Sequence, residues 1–193
     1  MKPFREAVKR GVDILACLAL VPVALPLCVM LFVAIIIDTP GAPLFVQLRV
    51  GRGGSSFRML KLRTMLAATD DLPSHHVCAT RITRVGKVLR TLKLDELPQL
   101  LNVLSGAMSL VGPRPCLLTQ AEVIAARREM GVLGYRPGIT GPAQLAGVDM
   151  SQPERMARIE ADYFSRANIW SDLRVLVATI VGGGSGDAAL KRQ

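Results

Sequence analysis

The sequence predicts an α+β protein, mostly helical, in which an N-terminal re-entrant membrane hairpin packs on a small cytosolic domain. Three observations carry the prediction. A run of 24 uncharged residues lies between Asp13 and Asp38. Two prolines, Pro22 and Pro26, interrupt that run near its middle. Basic residues flank it on both sides, and behind it apolar periodicities and turn signals alternate in short blocks.

Length and composition narrow the class. The chain has 193 residues, the size of one domain, and carries 24 Lys+Arg against 15 Asp+Glu, a formal charge of +9. Half its residues are hydrophobic and its mean hydropathy is +0.36. That apolar content excludes a disordered chain, and joined to strong basicity it argues against an ordinary soluble enzyme. Only 4% of residues are aromatic, which argues against a base-stacking reader of nucleic acid. Residues 1–93 hold 14 basic and 5 acidic side chains, whereas residues 94–193 hold 10 of each, so all the excess charge lies in the half with the apolar run. This pairing suits an anionic membrane surface.

A straight helix of 24 residues would reach roughly 36 Å, enough to span a bilayer core. A signal peptide is disfavoured because the run is long and no small-x-small cleavage site follows it. Each proline removes an N–H, so the carbonyls of Leu18 and Pro22 lose their donors and a sharp kink is expected. Lys2, Arg5, Lys9 and Arg10 precede the run, and Arg49, Arg52, Arg58, Lys61 and Arg63 follow it. The positive-inside rule places both flanks in the cytoplasm. A helix that breaks at Pro22–Pro26 and returns satisfies both; a Pro-kinked single span stays open as the alternative. The expected units are thus a membrane segment 1–38, a cytosolic domain 39–181 and a flexible tail 182–193. Four cysteines without C-x-x-C spacing indicate neither zinc nor disulfides.

The remaining elements follow in order. Leu44–Val50 and Phe57–Leu62 read as a β-hairpin around Gly51-Arg52-Gly53-Gly54, a glycine cluster better read as a turn than as a phosphate cradle. Residues 66–80, with His75 and His76, read as an irregular loop. Bases then recur at every third position, Arg81, Arg84, Lys87, Arg90 and Lys93, a spiral of solvated charge or a contact for polyanions. A helix is expected over 97–104, a strand near 109–111, a helix around 119–130, a turn-rich stretch over 136–142 and two helices over 152–167 and 170–180, the last amphipathic.

The chemistry concentrates at Asp95-Glu96. Pro98 is tolerated only near a helix start, which places both acids at a helix N-terminus. An N-cap with an acidic first turn explains one acid better than two. A carboxylate held ionised there is also a competent nucleophile, and its neighbour could bind Mg²⁺ or move a proton. Gly112-Pro113-Arg114-Pro115 and Arg136-Pro137-Gly138 each set an arginine in a stiff turn, suited to phosphate or to pairing with an internal carboxylate.

Lys9-Arg10-x-x-Asp13, Gln47-x-Arg49-x-Gly51, Lys61-Leu62-Arg63-Thr64-Met65, Asp95-Glu96-Leu97-Pro98-Gln99-Leu100, Met108–Pro115 and Arg136–Gly141 stand in an order that resembles the bacterial sugar transferases, small monotopic phosphoglycosyl transferases. The resemblance runs from about Arg5 to Ile180. It implies transfer of a sugar 1-phosphate from a UDP-sugar to polyprenyl phosphate, with release of UMP, at the cytoplasmic face of the bacterial inner membrane. It implies Asp95 as nucleophile through a covalent phospho-sugar intermediate, and Glu96 as the Mg²⁺ partner. Lys61, Arg63 and Arg114 are expected to engage phosphate or hold the dyad, and Arg136 to shape the nucleotide site. Arg90, Asp162 and Asp172 are weaker candidates. The chain departs from the family pattern at Leu25-Pro26, at Leu62 and at the extra Pro22. The sugar and the oligomeric state, a homodimer included, are not readable. A membrane-tethered, non-catalytic module that binds anionic lipid is the rival reading, and it predicts no dependence on Asp95.

Overall fold

The computed structural model describes residues 3–66 and 81–182. Most of the expected loop, with His75 and His76, and nearly all of the expected tail lie outside the described residues.

Helix α1 runs from Pro3 to Asp38 and contains both Pro22 and Pro26. The expected break at these residues is absent: no turn separates two arms. Proline's fixed φ is compatible with the helix, so each ring removes one hydrogen bond without forcing an exit. Cys17 and Ala24, seven positions apart on one face, are buried in a cluster with Met59, Leu100, Val103, Met108 and Leu110, which holds the stretch carrying Pro22 against the domain. Much of the rest of α1 is open. Its most apolar 18-residue window is only 11% buried, so this is not the core helix of a soluble domain. By length and composition it could cross a membrane.

Strands β1 (Leu44–Val50) and β2 (Ser56–Leu62) pair antiparallel with Leu44 opposite Leu62 and Val50 opposite Ser56. A short 3₁₀ turn, Arg52–Gly54, joins them, and Gly53 and Gly54 take φ of 70° and 84°, values that favour glycine. Helix α2 (Arg84–Thr91) starts where the Thr83 hydroxyl accepts from the Gly86 N–H at 2.9 Å. Helix α3 (Gln99–Leu104) leads to β3 (Ser109–Val111), and helix α4 (Ala121–Glu129) follows.

The stretch read as turn-rich contains β4 (Gly138–Thr140), which pairs in parallel with β3. A three-residue strand between Pro137 and Gly141 has no alternating pattern to announce it. The close approach needs bare backbone: a Cβ on Gly138 would lie 2.0 Å from the Gly112 nitrogen. Helices α5 (Pro142–Leu145), α6 (Pro153–Arg166) and α7 (Ile169–Ile180) complete the domain. Both α5 and α6 carry proline in the first turn. The Asn168 and Ser171 side chains cap α7 reciprocally, at 3.0 and 2.8 Å.

A second core cluster joins Val50, Cys116, Val123, Ala143, Val148 and Met156, and a third packs Ile35 on Leu62 and Leu89. Both ends of α1 are therefore held by the same domain. Near its start, the buried Asp13 carboxylate accepts from the Ser109 hydroxyl at 2.7 Å. At its end, Asp38 accepts from the Val85 N–H at 3.2 Å.

Candidate active site

Asp95 and Glu96 sit in a 3₁₀ turn, Leu94–Glu96, just before α3. Lys93 precedes them with φ 56°, the one positive φ at a non-glycine residue among those described. This left-handed step ends α2 and turns the acids away from the α3 axis. The N-cap of α3, Pro98, has no side-chain hydrogen bond. Both acids stand in the first turn of the preceding 3₁₀ segment, as an acidic first turn would.

The acids meet Lys61. Its ammonium donates to Glu96 Oε1 at 3.0 Å and lies 3.8 Å from Asp95 Oδ2. Asn102, which the sequence did not single out, brings these groups together. Its side-chain amide accepts from the Leu60 N–H at 2.9 Å and donates to the Arg58 carbonyl at 2.8 Å, so α3 docks on β2 as a pairing strand would. Lys61, one residue on, then faces the dyad.

Burial works to raise the Glu96 pKa, but the charges of Lys61, Arg114 and Lys93 outweigh it and hold the carboxyl below its usual 4.5. Asp95 is buried. Arg114 is half-buried, with its charge felt at Glu96, and among the described residues no protein acceptor takes a hydrogen bond from its guanidinium. It is thus available to an anionic ligand. A carboxylate pair whose Glu96 is held ionised by Lys61, Lys93 and Arg114 has the charge pattern that suits a phosphate ester. The same two carboxylates are also the donors Mg²⁺ favours, since it takes one or two from protein and the rest from phosphate and water.

Other expected residues make further contacts. Arg63 is buried and donates to the Thr39 and Pro40 carbonyls, each at 2.7 Å, so it secures the exit of α1. Arg90 donates to the Thr64 hydroxyl at 2.9 Å. Arg136 donates to Glu6 at 2.9 Å and to the Gly106 carbonyl at 3.1 Å, which ties it to the start of α1 rather than to the dyad. Asp172 accepts from Lys9 at 2.6 Å and from the Tyr163 hydroxyl at 2.7 Å. Arg136 and Asp172 line a cavity of about 770 Å³ with Trp170, Leu173 and Leu176, and neither dyad residue borders it. Asp162 is exposed on α6.

A carboxylate dyad amid cations, on a domain that carries a long exposed apolar helix, fits the class of proteins that handle phosphate esters in association with a membrane. Comparison with known proteins gives that class a family. Residues 4–183 match the bacterial sugar transferase family, and the chain belongs to it. It is 39% identical over 181 residues to a UDP-glucose:undecaprenyl-phosphate glucose-1-phosphate transferase of Caulobacter vibrioides, covering 89% of this chain and 68% of that one. It is 38% identical to a UDP-N-acetylgalactosamine-undecaprenyl-phosphate N-acetylgalactosaminephosphotransferase of Aeromonas hydrophila, over 92% of this chain but 44% of the longer protein. The exopolysaccharide production protein ExoY of Rhizobium meliloti is 32% identical over 93% of this chain and 87% of its own length.

Proposed function

We propose that this chain is a phosphoglycosyl transferase that moves a sugar 1-phosphate from a UDP-sugar to polyprenyl phosphate and releases UMP, the first membrane step of glycoconjugate assembly. The observation that carries the reading is the Asp95–Glu96 pair beside Lys61 with the Arg114 guanidinium open to a ligand. The names of the relatives support the substrate classes.

The Asp95 carboxylate attacks the phosphorus bonded to the sugar. The bond from that phosphorus to the bridging oxygen breaks, and UMP departs with the electron pair. A phosphate oxygen of polyprenyl phosphate then attacks the same phosphorus, frees Asp95 and yields the polyprenyl diphosphosugar. Lys61 and Arg114 offset charge on the phosphoryl oxygens, and Lys61 helps to keep Glu96 ionised. Glu96 with Asp95 would hold Mg²⁺, which when bound supplies further neutralisation of the diphosphate.

Topology belongs to the same reading. The single domain grips α1 at Asp13 and at Asp38, which supports a monotopic arrangement on the cytoplasmic face. Cysteines placed at Gly11 and Ser55, both exposed, should resist an impermeant thiol reagent applied from outside the cell. Labelling of either refutes this arrangement.

The donors named for the two relatives share uridine diphosphate and differ at the sugar, so both belong in the first assay. Asp95→Asn should abolish UMP release, and intact mass after incubation with UDP-sugar alone should show a phosphosugar adduct on the wild type only. Activity that survives Asp95→Asn sinks the nucleophile; turnover without any adduct favours direct transfer.

A further inference from the structure

The Arg127–Glu160 pair is among the most buried charges in the domain, with side chains 3% and 1% exposed. Arg127 on α4 donates through Nε and Nη2 to Glu160 on α6, at 2.8 and 2.6 Å. Its remaining nitrogen, Nη1, donates to the main-chain carbonyl of Arg114 at 2.8 Å. The Arg114 main-chain N–H is also among the groups that favour the ionised form of Glu160. One ion pair therefore holds the main-chain carbonyl of the residue whose charge is felt at Glu96. Arg49 on β1 extends the hold, donating to the Pro115 carbonyl at 3.2 Å while Gln47 takes its Nε at 2.8 Å.

Burial raises the Glu160 pKa in spite of the guanidinium beside it, and a buried ion pair is weak evidence of net stabilisation. The guanidinium nitrogen that the pair leaves over, Nη1, is directed at one main-chain carbonyl, that of Arg114.

We propose that Arg127 and Glu160 are positioning residues that clamp the Arg114 peptide and so aim its guanidinium at the phosphate bound over the dyad. The inference rests on the phosphate-binding role proposed for Arg114. Its signature is energetic coupling: the pair matters to turnover only while Arg114 has a guanidinium to aim.

The test is a double-mutant cycle on the full chain in membranes or detergent, with UMP release normalised to the folded fraction. Glu160→Gln keeps the shape of the side chain, and Arg127→Lys keeps the charge and a donor. Each should lower kcat/KM about tenfold or more with Arg114 intact and less than about threefold in an Arg114→Ala background. Thermal midpoints should shift equally in both backgrounds. Arg49→Lys, at a partly exposed site, should show the same coupling more weakly. Equal losses in both backgrounds, losses that track only the folded fraction, or full activity in a folded variant would each overturn the clamp. If Arg114→Ala itself leaves turnover intact, the role proposed for Arg114 fails instead, and the two failures are told apart.

Discussion

Lys61 works through distance. At 3.0 Å from Glu96 and 3.8 Å from Asp95, one ammonium serves both acids. Lys61→Met removes a charge that holds Glu96 below its usual pKa, so the acidic limb of the activity profile should move to higher pH, read from kcat/KM against pH. An unmoved limb would mean that Glu96 does not control it. Lys93 carries two effects at one position. Lys93→Gly should relieve up to ~1 kcal/mol of left-handed backbone cost and raise the thermal midpoint. It also removes a cation from Glu96, so the same variant should lose turnover near the acidic limb. Gly112 has no room for a side chain, since a Cβ there would lie 2.3 Å from the Arg136 carbonyl oxygen and the other near atoms are also backbone. Gly112→Ala should cost on the order of 3 kcal/mol, as overpacking against groups that cannot move aside does. Full stability in that variant, measured by thermal unfolding, would contradict the packing of β3 on β4.

Among the elements, α3 was legible as a helix but its docking was not. Residues 97–104 announce it through leucine spacing and Pro98, whereas Asn102 is silent in sequence because an asparagine in a short helix reads as a solvated polar residue. Only contact with β2 reveals that its amide replaces a strand's hydrogen bonds. Asn102→Leu should cost ~2 kcal/mol, from two hydrogen bonds at about 1 kcal/mol each, and should lower turnover by separating Lys61 from the dyad. Stability lost without turnover would place the dyad's alignment elsewhere. Helix α1 shows the converse. Its length and two prolines predict two arms, and the structure has one helix through Pro22 and Pro26, with Cys17 and Ala24 on that stretch packed against the domain. Strand β4 escaped notice for a third reason: glycine and proline signal turns, and here they permit two backbones to touch.

At the scale of the whole molecule, the charge of +9 and the apolar helix act together. With its most apolar window 11% buried, α1 should keep the protein on membranes through a wash in concentrated salt, and detergent should release it; release by salt alone would show that charge dominates. Two carboxylates set opposite responses to pH. Glu96, held below 4.5, contributes stability that is full above that value and lost as pH falls through the depressed pKa. Glu160, raised by burial, makes the fold less stable as pH rises from 4.5 through its elevated pKa. Thermal midpoints of wild type and Glu160→Gln between pH 3 and 7 should therefore converge at the acidic end. A gap that stays constant would remove Glu160 as the titrating group.

The sequence alone determined what depends on local order. The apolar run, the β-hairpin, the helix after Pro98, the Asp95-Glu96 dyad and the family resemblance all reside in contiguous residues, where periodicity, turn chemistry and motif spacing operate. Tertiary structure decided which charges face one another. Lys61 reaches the dyad and the charge of Arg114 is felt at Glu96, whereas Arg63 and Arg136 are spent on holding α1. It also joined Arg127 to Glu160, 33 positions apart, around the Arg114 peptide. Electrostatic partnership depends on distance in space and on desolvation, and neither is written along the chain.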